Sequence, residues 1–183
     1  GGLAEYTTFP AKFVYKLPEN VSTKEGALIE PLAVAVHSLH RAEFMQGETA
    51  LVTGAGPIGL STILALKSAG AQKIISVELK EARKEYALEF GADLVLDPTE
   101  VNVEEELMKL TDNKGVDASF ETTGVQAGFE TAVNSVKKAG RVVVTSIWEE
   151  AVKFHLNNIV LSEKEIIGTL AYNKGVFPAV ISL

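Results

Sequence analysis

Three glycines, Gly54, Gly56 and Gly59, sit where an apolar run passes into a helical pattern, and their spacing suits the binding of a pyrophosphate. The run Leu51-Val52-Thr53-Gly54-Ala55-Gly56-Pro57-Ile58-Gly59 reads as strand, turn and helix start. The first glycine allows a tight turn, the second lets backbone approach the anion, and the third permits close packing of helix on strand. Free N–H groups at the start of the helix favour negative charge. Pro57 suits the first helical position, where its missing N–H costs nothing. Glu78 lies 19 positions beyond Gly59, at the end of the apolar run Lys73-Ile74-Ile75-Ser76-Val77. A carboxylate there accepts hydrogen bonds from an adenosine ribose and repels a 2′-phosphate, so it favours NAD over NADP. Two other readings use the same residues. A glycine-rich first turn with an acid ending the second strand also holds S-adenosylmethionine in methyltransferases, and a non-catalytic module can bind a dinucleotide as a sensed ligand. The position of Pro57 and the spacing to Gly59 fit a pyrophosphate better.

The elements that must position these residues alternate. Ile58, Leu60, Ile63, Leu64 and Leu66 predict an apolar helix face, with Ser61, Thr62, Lys67 and Ser68 on the polar side and Gly70 as the stop. Further helices are predicted over residues 80–90, around Val103, Leu107 and Leu110, and over 126–136. Strands are predicted over 94–96, 116–121, 141–145 and 165–169. Strand–helix alternation from residue 50 onward predicts an α/β doubly wound parallel sheet. Glu104, Glu105 and Glu106 read as a solvated helix face.

The first forty residues differ. Residues 3–15 read as β structure, and Ser22 with Glu25 has capping-box spacing ahead of a long apolar helix over 26–39. Inside that helix Glu30 precedes Pro31, a residue that breaks or bends a helix interior. Glu30 either points to solvent on a narrow polar stripe or is an acid held near a cation, a metal-bound water or a cofactor.

Composition narrows the classes. With 183 residues the chain is one domain, or one domain and a piece of another. A net charge of −7 argues against nucleic acid or an anionic membrane as the main partner. No apolar run reaches the ~20 residues of a membrane helix, and no signal-peptide pattern opens the chain, so a cytoplasmic location is expected. The absence of cysteine excludes disulfides and thiolate metal sites within this chain. His37 and His40 read as an exposed helix pair rather than a metal site.

The run from Gly26 to His37, followed by the Gly54–Gly59 loop, resembles the medium-chain zinc-dependent alcohol and polyol dehydrogenases, a group that includes the sorbitol, threonine and butanediol enzymes. Residues 144–149, 157–160 and 177–181 look most like those of 2,3-butanediol dehydrogenases. The resemblance implies a Rossmann domain with a short remnant of a GroES-like β catalytic domain. It implies the division 1–40 (catalytic remnant and connecting helix), 41–175 (NAD-binding domain) and 176–183 (start of a C-terminal helix). Gly54, Gly56, Pro57, Ile58 and Gly59 match the pyrophosphate loop, Glu78 the ribose acid, and Arg83 a basic residue over the adenosine. Thr122, Thr123 and Gly124 match the segment passing the cofactor, and Ser146, Ile147, Leu170 and Ala171 those flanking the nicotinamide. Glu30 matches the acid near the catalytic zinc, as a ligand or as a contact of the zinc-bound water. The resemblance thus implies NAD and zinc as cofactors, a small alcohol or diol as substrate, and a homo-oligomer at full length. The family's other zinc ligands and its structural-zinc cysteines match nothing here. The expectation is a cofactor-binding fragment that carries no catalytic residue of its own, inactive by itself.

Overall fold

The computed structural model describes residues 2–182. A single 3-10 turn at Ala11–Phe13 is followed by α1 (Thr23–Gly26) and α2 (Ile29–Arg41). Then come β1 (Thr49–Thr53), α3 (Pro57–Ser68), β2 (Lys73–Val77), α4 (Glu81–Phe90), β3 (Leu94–Leu96) and α5 (Val103–Leu110). The second half holds β4 (Val116–Glu121), α6 (Gln126–Ser135), β5 (Val136–Val144), α7 (Asn157–Val160), β6 (Glu165–Gly168) and α8 (Val176–Ile181).

Among the described residues the six strands form one parallel sheet in the order β3-β2-β1-β4-β5-β6, the Rossmann arrangement. The core strands are apolar on both faces: Leu51, Val52, Ile75, Phe120, Val142 and Val143 are all fully buried. Phe120 lies in one cluster with Ile63 and Leu66, and Leu51 in a second with Leu107 and Val133. Register brings the strand ends into one row, because Thr53 pairs with Val77 and with Glu121, Val77 with Leu96, Glu121 with Val144, and Val144 with Gly168. The chain reverses its winding between β1 and β4, so the connections leaving their ends diverge and open a crevice.

Several sequence expectations are corrected. Residues 3–15 form no strand; Leu3, Tyr6, Phe9 and Phe13 are exposed. A strand needs a neighbour for its N–H and C=O groups, and no described strand pairs with this segment. The helix expected over 26–39 is split. Pro31 has no N–H to donate to Ala27, so α1 closes at Gly26 and Pro31 falls in the first turn of α2 rather than its interior. The capping box of Ser22 and Glu25 is present. Thr62 belongs to the core, not the polar face: it is fully buried and its hydroxyl donates to the Ile58 carbonyl at 2.8 Å. His37 is buried while His40 is exposed, so they are not an exposed pair. β5 begins five residues earlier than expected, running through an irregular stretch in which Ala139 takes φ 54° and the pairing with β4 shifts register. The helical pattern at the chain's end is observed as α8, with Leu183 outside the described residues. No helix of the described chain is long and apolar enough to cross a membrane.

One ion pair fixes the wall beside the crevice. Asp97, just past β3, contacts the Lys84 ammonium and accepts from the Thr99 N–H at 2.8 Å and its hydroxyl at 2.6 Å. The Lys84 and Thr99 contacts hold the Asp97 carboxyl down at about 2, and Asp97 with Glu81 pushes Lys84 up to about 12. Asp97 therefore contributes stability above its unfolded pKa of about 3.9 and loses it as pH falls toward 2. Lys84 contributes below about 10.4 and loses its share as pH rises through 12. Thermal melts across pH are expected to show a midpoint falling between pH 4 and 2, and Asp97→Asn is expected to flatten that fall. An unchanged acid limb in the variant would assign the fall to other carboxylates.

Candidate dinucleotide site

The crevice at the strand ends is a cleft of about 340 Å³, bordered by Gly54, Gly56, Glu78, Arg83, Thr122 and Thr123 among others. Its floor is the turn after β1. Gly54 takes φ 90°, a left-handed conformation that favours glycine, and its N–H donates to the Val77 carbonyl at 2.8 Å. At Gly59 a Cβ would lie 1.9 Å from the Gly54 carbonyl oxygen, so the helix start touches the turn. At Gly56 a Cβ would meet nothing within 4 Å, which leaves open space over the loop. Pro57 occupies the first turn of α3 and Gly56 caps it without a side chain, so no side-chain acceptor occupies that helix start. Ile58 follows in the same turn.

Glu78 is buried beside this loop. One carboxylate oxygen accepts from the Ala55 N–H at 2.8 Å, and the other from Leu79 at 2.8 Å and Lys80 at 3.0 Å. Burial pushes its pKa up, but the N–H groups of Lys80, Ala55 and Leu79 and the charge of Arg83 outweigh burial and leave it lowered. Arg83 approaches to 3.9 Å and is partly exposed on the cleft rim. A carboxylate has about four acceptor positions, and three are used here, so one remains for a ligand hydroxyl.

The opposite wall is the turn after β4. The Thr122 hydroxyl lies 2.8 Å from the Thr53 carbonyl and 3.2 Å from that of Gly54, fastening the two turns. Gly124 takes φ 69°, and a Cβ there would stand 3.2 Å from the Ile147 carbonyl oxygen, so residues 146–147 lie against this turn. Glu121, the last residue of β4, was not among the residues singled out from the sequence. It is fully buried and receives donors from both segments: the Thr123 N–H at 2.6 Å and hydroxyl at 2.5 Å, the Gly124 N–H at 2.9 Å, and the Ser146 hydroxyl. An acid directly followed by Thr-Thr-Gly is the local signal for it, since hydroxyls and a left-handed glycine after a carboxylate form such a turn.

Not every expected residue is gathered here. Ser146 and Ile147 do not border the cleft, nor do Leu170 and Ala171, which follow β6 and share the row of strand ends; Leu170 is largely exposed. Glu30 is exposed and faces a separate pocket of about 650 Å³ with Tyr15, Tyr172 and Phe177. There burial first, then the charge of Glu30, raises the Tyr172 pKa. No three His, Asp or Glu side chains among the described residues converge to hold a metal. The described residues therefore do not by themselves fit a zinc ion.

A family model described as zinc-binding dehydrogenase matches residues 57–183. The chain belongs to the zinc-binding dehydrogenase family. It is 41% identical to the (R,R)-butanediol dehydrogenase of Bacillus subtilis (strain 168) over all of this chain and 52% of that protein. It is 34% identical to the sorbitol dehydrogenase of Homo sapiens over all of this chain and 52% of that one. The crystal structure of 2R,3R-butanediol dehydrogenase from Bacillus subtilis superposes with a TM-score of 0.87 at 42% identity, covering 92% of this chain and 48% of that chain. This zinc-binding dehydrogenase chain thus spans about half the length of the curated relatives it matches. The matches support the family resemblance read from Gly26–His37 and the glycine loop, and the Rossmann sheet with it.

Proposed function

We propose that this chain is the NAD-binding part of a zinc-dependent dehydrogenase that oxidises a secondary alcohol or diol of the 2,3-butanediol/acetoin type. The observation that carries the reading is Glu78, a buried and ionised acid facing the same cleft as the Gly54–Gly59 loop at the switch point of the sheet. Bound NAD supplies the hydride acceptor; the chain binds and orients it. The open space over Gly56 and the start of α3 receive the diphosphate, and Pro57, Ile58 and Gly59 set the angle of that helix. Glu78 accepts from the adenosine ribose, and Arg83 covers the adenosine side. Thr122, Thr123 and Gly124 pass the middle of the cofactor, and Ser146, Ile147, Leu170 and Ala171 border the nicotinamide. Glu30 is the residue proposed to approach a zinc centre whose other ligands lie outside the described residues.

Similarity to butanediol and sorbitol dehydrogenases supports a small hydroxylated substrate. A homo-oligomer draws support from β6, an edge strand that exposes Ile166, with Leu161 exposed before it and Leu170 after it.

The test uses Trp148, the sole tryptophan, half-buried edge-to-face on Phe129 at 6.0 Å and next to Ile147. NADH is expected to quench it saturably, with S-adenosylmethionine giving no response. The reverse pattern would replace the dehydrogenase reading with a methyltransferase.

A further inference from the structure

We infer that Glu121 is a positioning residue for the nicotinamide half of the cofactor, acting through the hydroxyl of Ser146; this rests on the NAD-binding reading above. Glu121 is a carboxylate with no exposed surface, and no cation pairs with it among the described residues. An isolated buried charge is costly unless donors surround it. Four donors do so: the N–H and hydroxyl of Thr123, the N–H of Gly124, and the hydroxyl of Ser146. None of the four belongs to a strand. Three lie on the turn after β4, and the fourth lies just beyond β5.

The carboxylate therefore fastens the turn after β4, which borders the cleft through Thr122 and Thr123, to the loop after β5 rather than bracing the sheet. One oxygen takes the three donors of the turn, and the other takes Ser146 alone. That second contact fixes the direction of the Ser146 hydroxyl. The Ser146 hydroxyl donates to Glu121, so its single proton is spent there. Its oxygen then offers only lone pairs to a ligand. The carboxamide of nicotinamide carries an NH₂, a donor of the kind such an acceptor fits. Glu121 thus sets both where Ser146 stands and which polarity it presents.

Two variants separate these roles from simple scaffolding. Ser146→Ala removes the acceptor and leaves Glu121 its other three donors. Glu121→Gln keeps an oxygen for the turn but places an NH₂ opposite Ser146, which frees the serine proton and reverses its polarity. Calorimetric titrations compare NADH with ADP-ribose, which lacks the nicotinamide, and thermal melts confirm that each variant is folded. In both variants NADH is expected to bind about tenfold more weakly, the loss of one ligand hydrogen bond, while ADP-ribose stays within about twofold. Equal losses for the two ligands would make Glu121 a scaffold residue and overturn the proposal. So would NADH binding left intact in either variant. If the unmodified chain binds neither ligand, the cofactor reading fails first and the role of Glu121 falls with it.

Discussion

Gly59→Ala is expected to destabilise the chain by about 3 kcal/mol, the upper part of the range for overpacking. The added methyl would stand 1.9 Å from the Gly54 carbonyl oxygen and 2.9 Å from its carbon. Both are backbone atoms of the turn, which is also held by the Thr122 hydroxyl and by the Gly54 N–H bond to Val77. No flexible side chain can move aside to make room. For a chain of this length the loss corresponds to a melting temperature lower by about 6–12 °C. Gly56→Ala is the counterpart. Gly56 has φ −73° and ψ −176°, which any residue adopts, and its Cβ would meet nothing within 4 Å. Its stability is expected to stay within about 0.5 kcal/mol of the unmodified chain. The methyl would nevertheless occupy the space proposed for the diphosphate, and NADH affinity is expected to fall at least about tenfold. Melts and calorimetry on the two variants check both statements. A Gly56→Ala chain that binds NADH normally would remove the diphosphate from this loop.

That contrast marks what could be read from the residues alone. The order strand, turn, helix, strand around Gly54–Gly59 is local, and β1, α3 and β2 fall where spacing and apolar pattern put them. Glu78 was legible for the same reason, since an acid at a fixed distance beyond the loop needs only the βαβ unit to be placed. Glu121 is the last residue of β4 as Glu78 is the first beyond β2, yet its role depends on Ser146, 25 residues onward in another loop, and only the register of β4 with β5 joins them. Thr62 was misread because a hydroxyl counts as polar in a periodic pattern but can satisfy itself on the helix carbonyl four residues back and enter the core. Residues 3–15 show the opposite failure. They read as β structure, but a strand forms only against a neighbour, and none of the described strands pairs with them.

The charge on Glu78 carries the second large effect. A 2′-phosphate placed at this carboxylate would meet a buried negative charge already ionised by three backbone N–H groups. Two unit charges about 4 Å apart repel by about 4 kcal/mol at the effective dielectric of a protein surface. Arg83, 3.9 Å from the carboxylate and partly exposed, offsets some of this. NADH is therefore expected to bind about 100-fold more tightly than NADPH, equivalent to about 2.7 kcal/mol. Glu78→Gln removes the charge and should bring the ratio below about tenfold, mainly by strengthening NADPH. The amide NH₂ must then oppose at least one backbone N–H that the carboxylate now satisfies, so the variant is also expected to lose about 1–2 kcal/mol of stability. The pH dependence separates the two charges. Because the Glu78 pKa is lowered, it stays ionised from pH 8 to 5, whereas a phosphate monoester takes up its proton near pH 6. Discrimination by the unmodified chain should therefore weaken below about pH 6 through the ligand, and the Glu78→Gln ratio should barely move. Parallel titrations with NADH and NADPH at pH 8 and pH 5 check this, and equal affinity of the unmodified chain for both at pH 8 would dismiss Glu78 as the ribose acid.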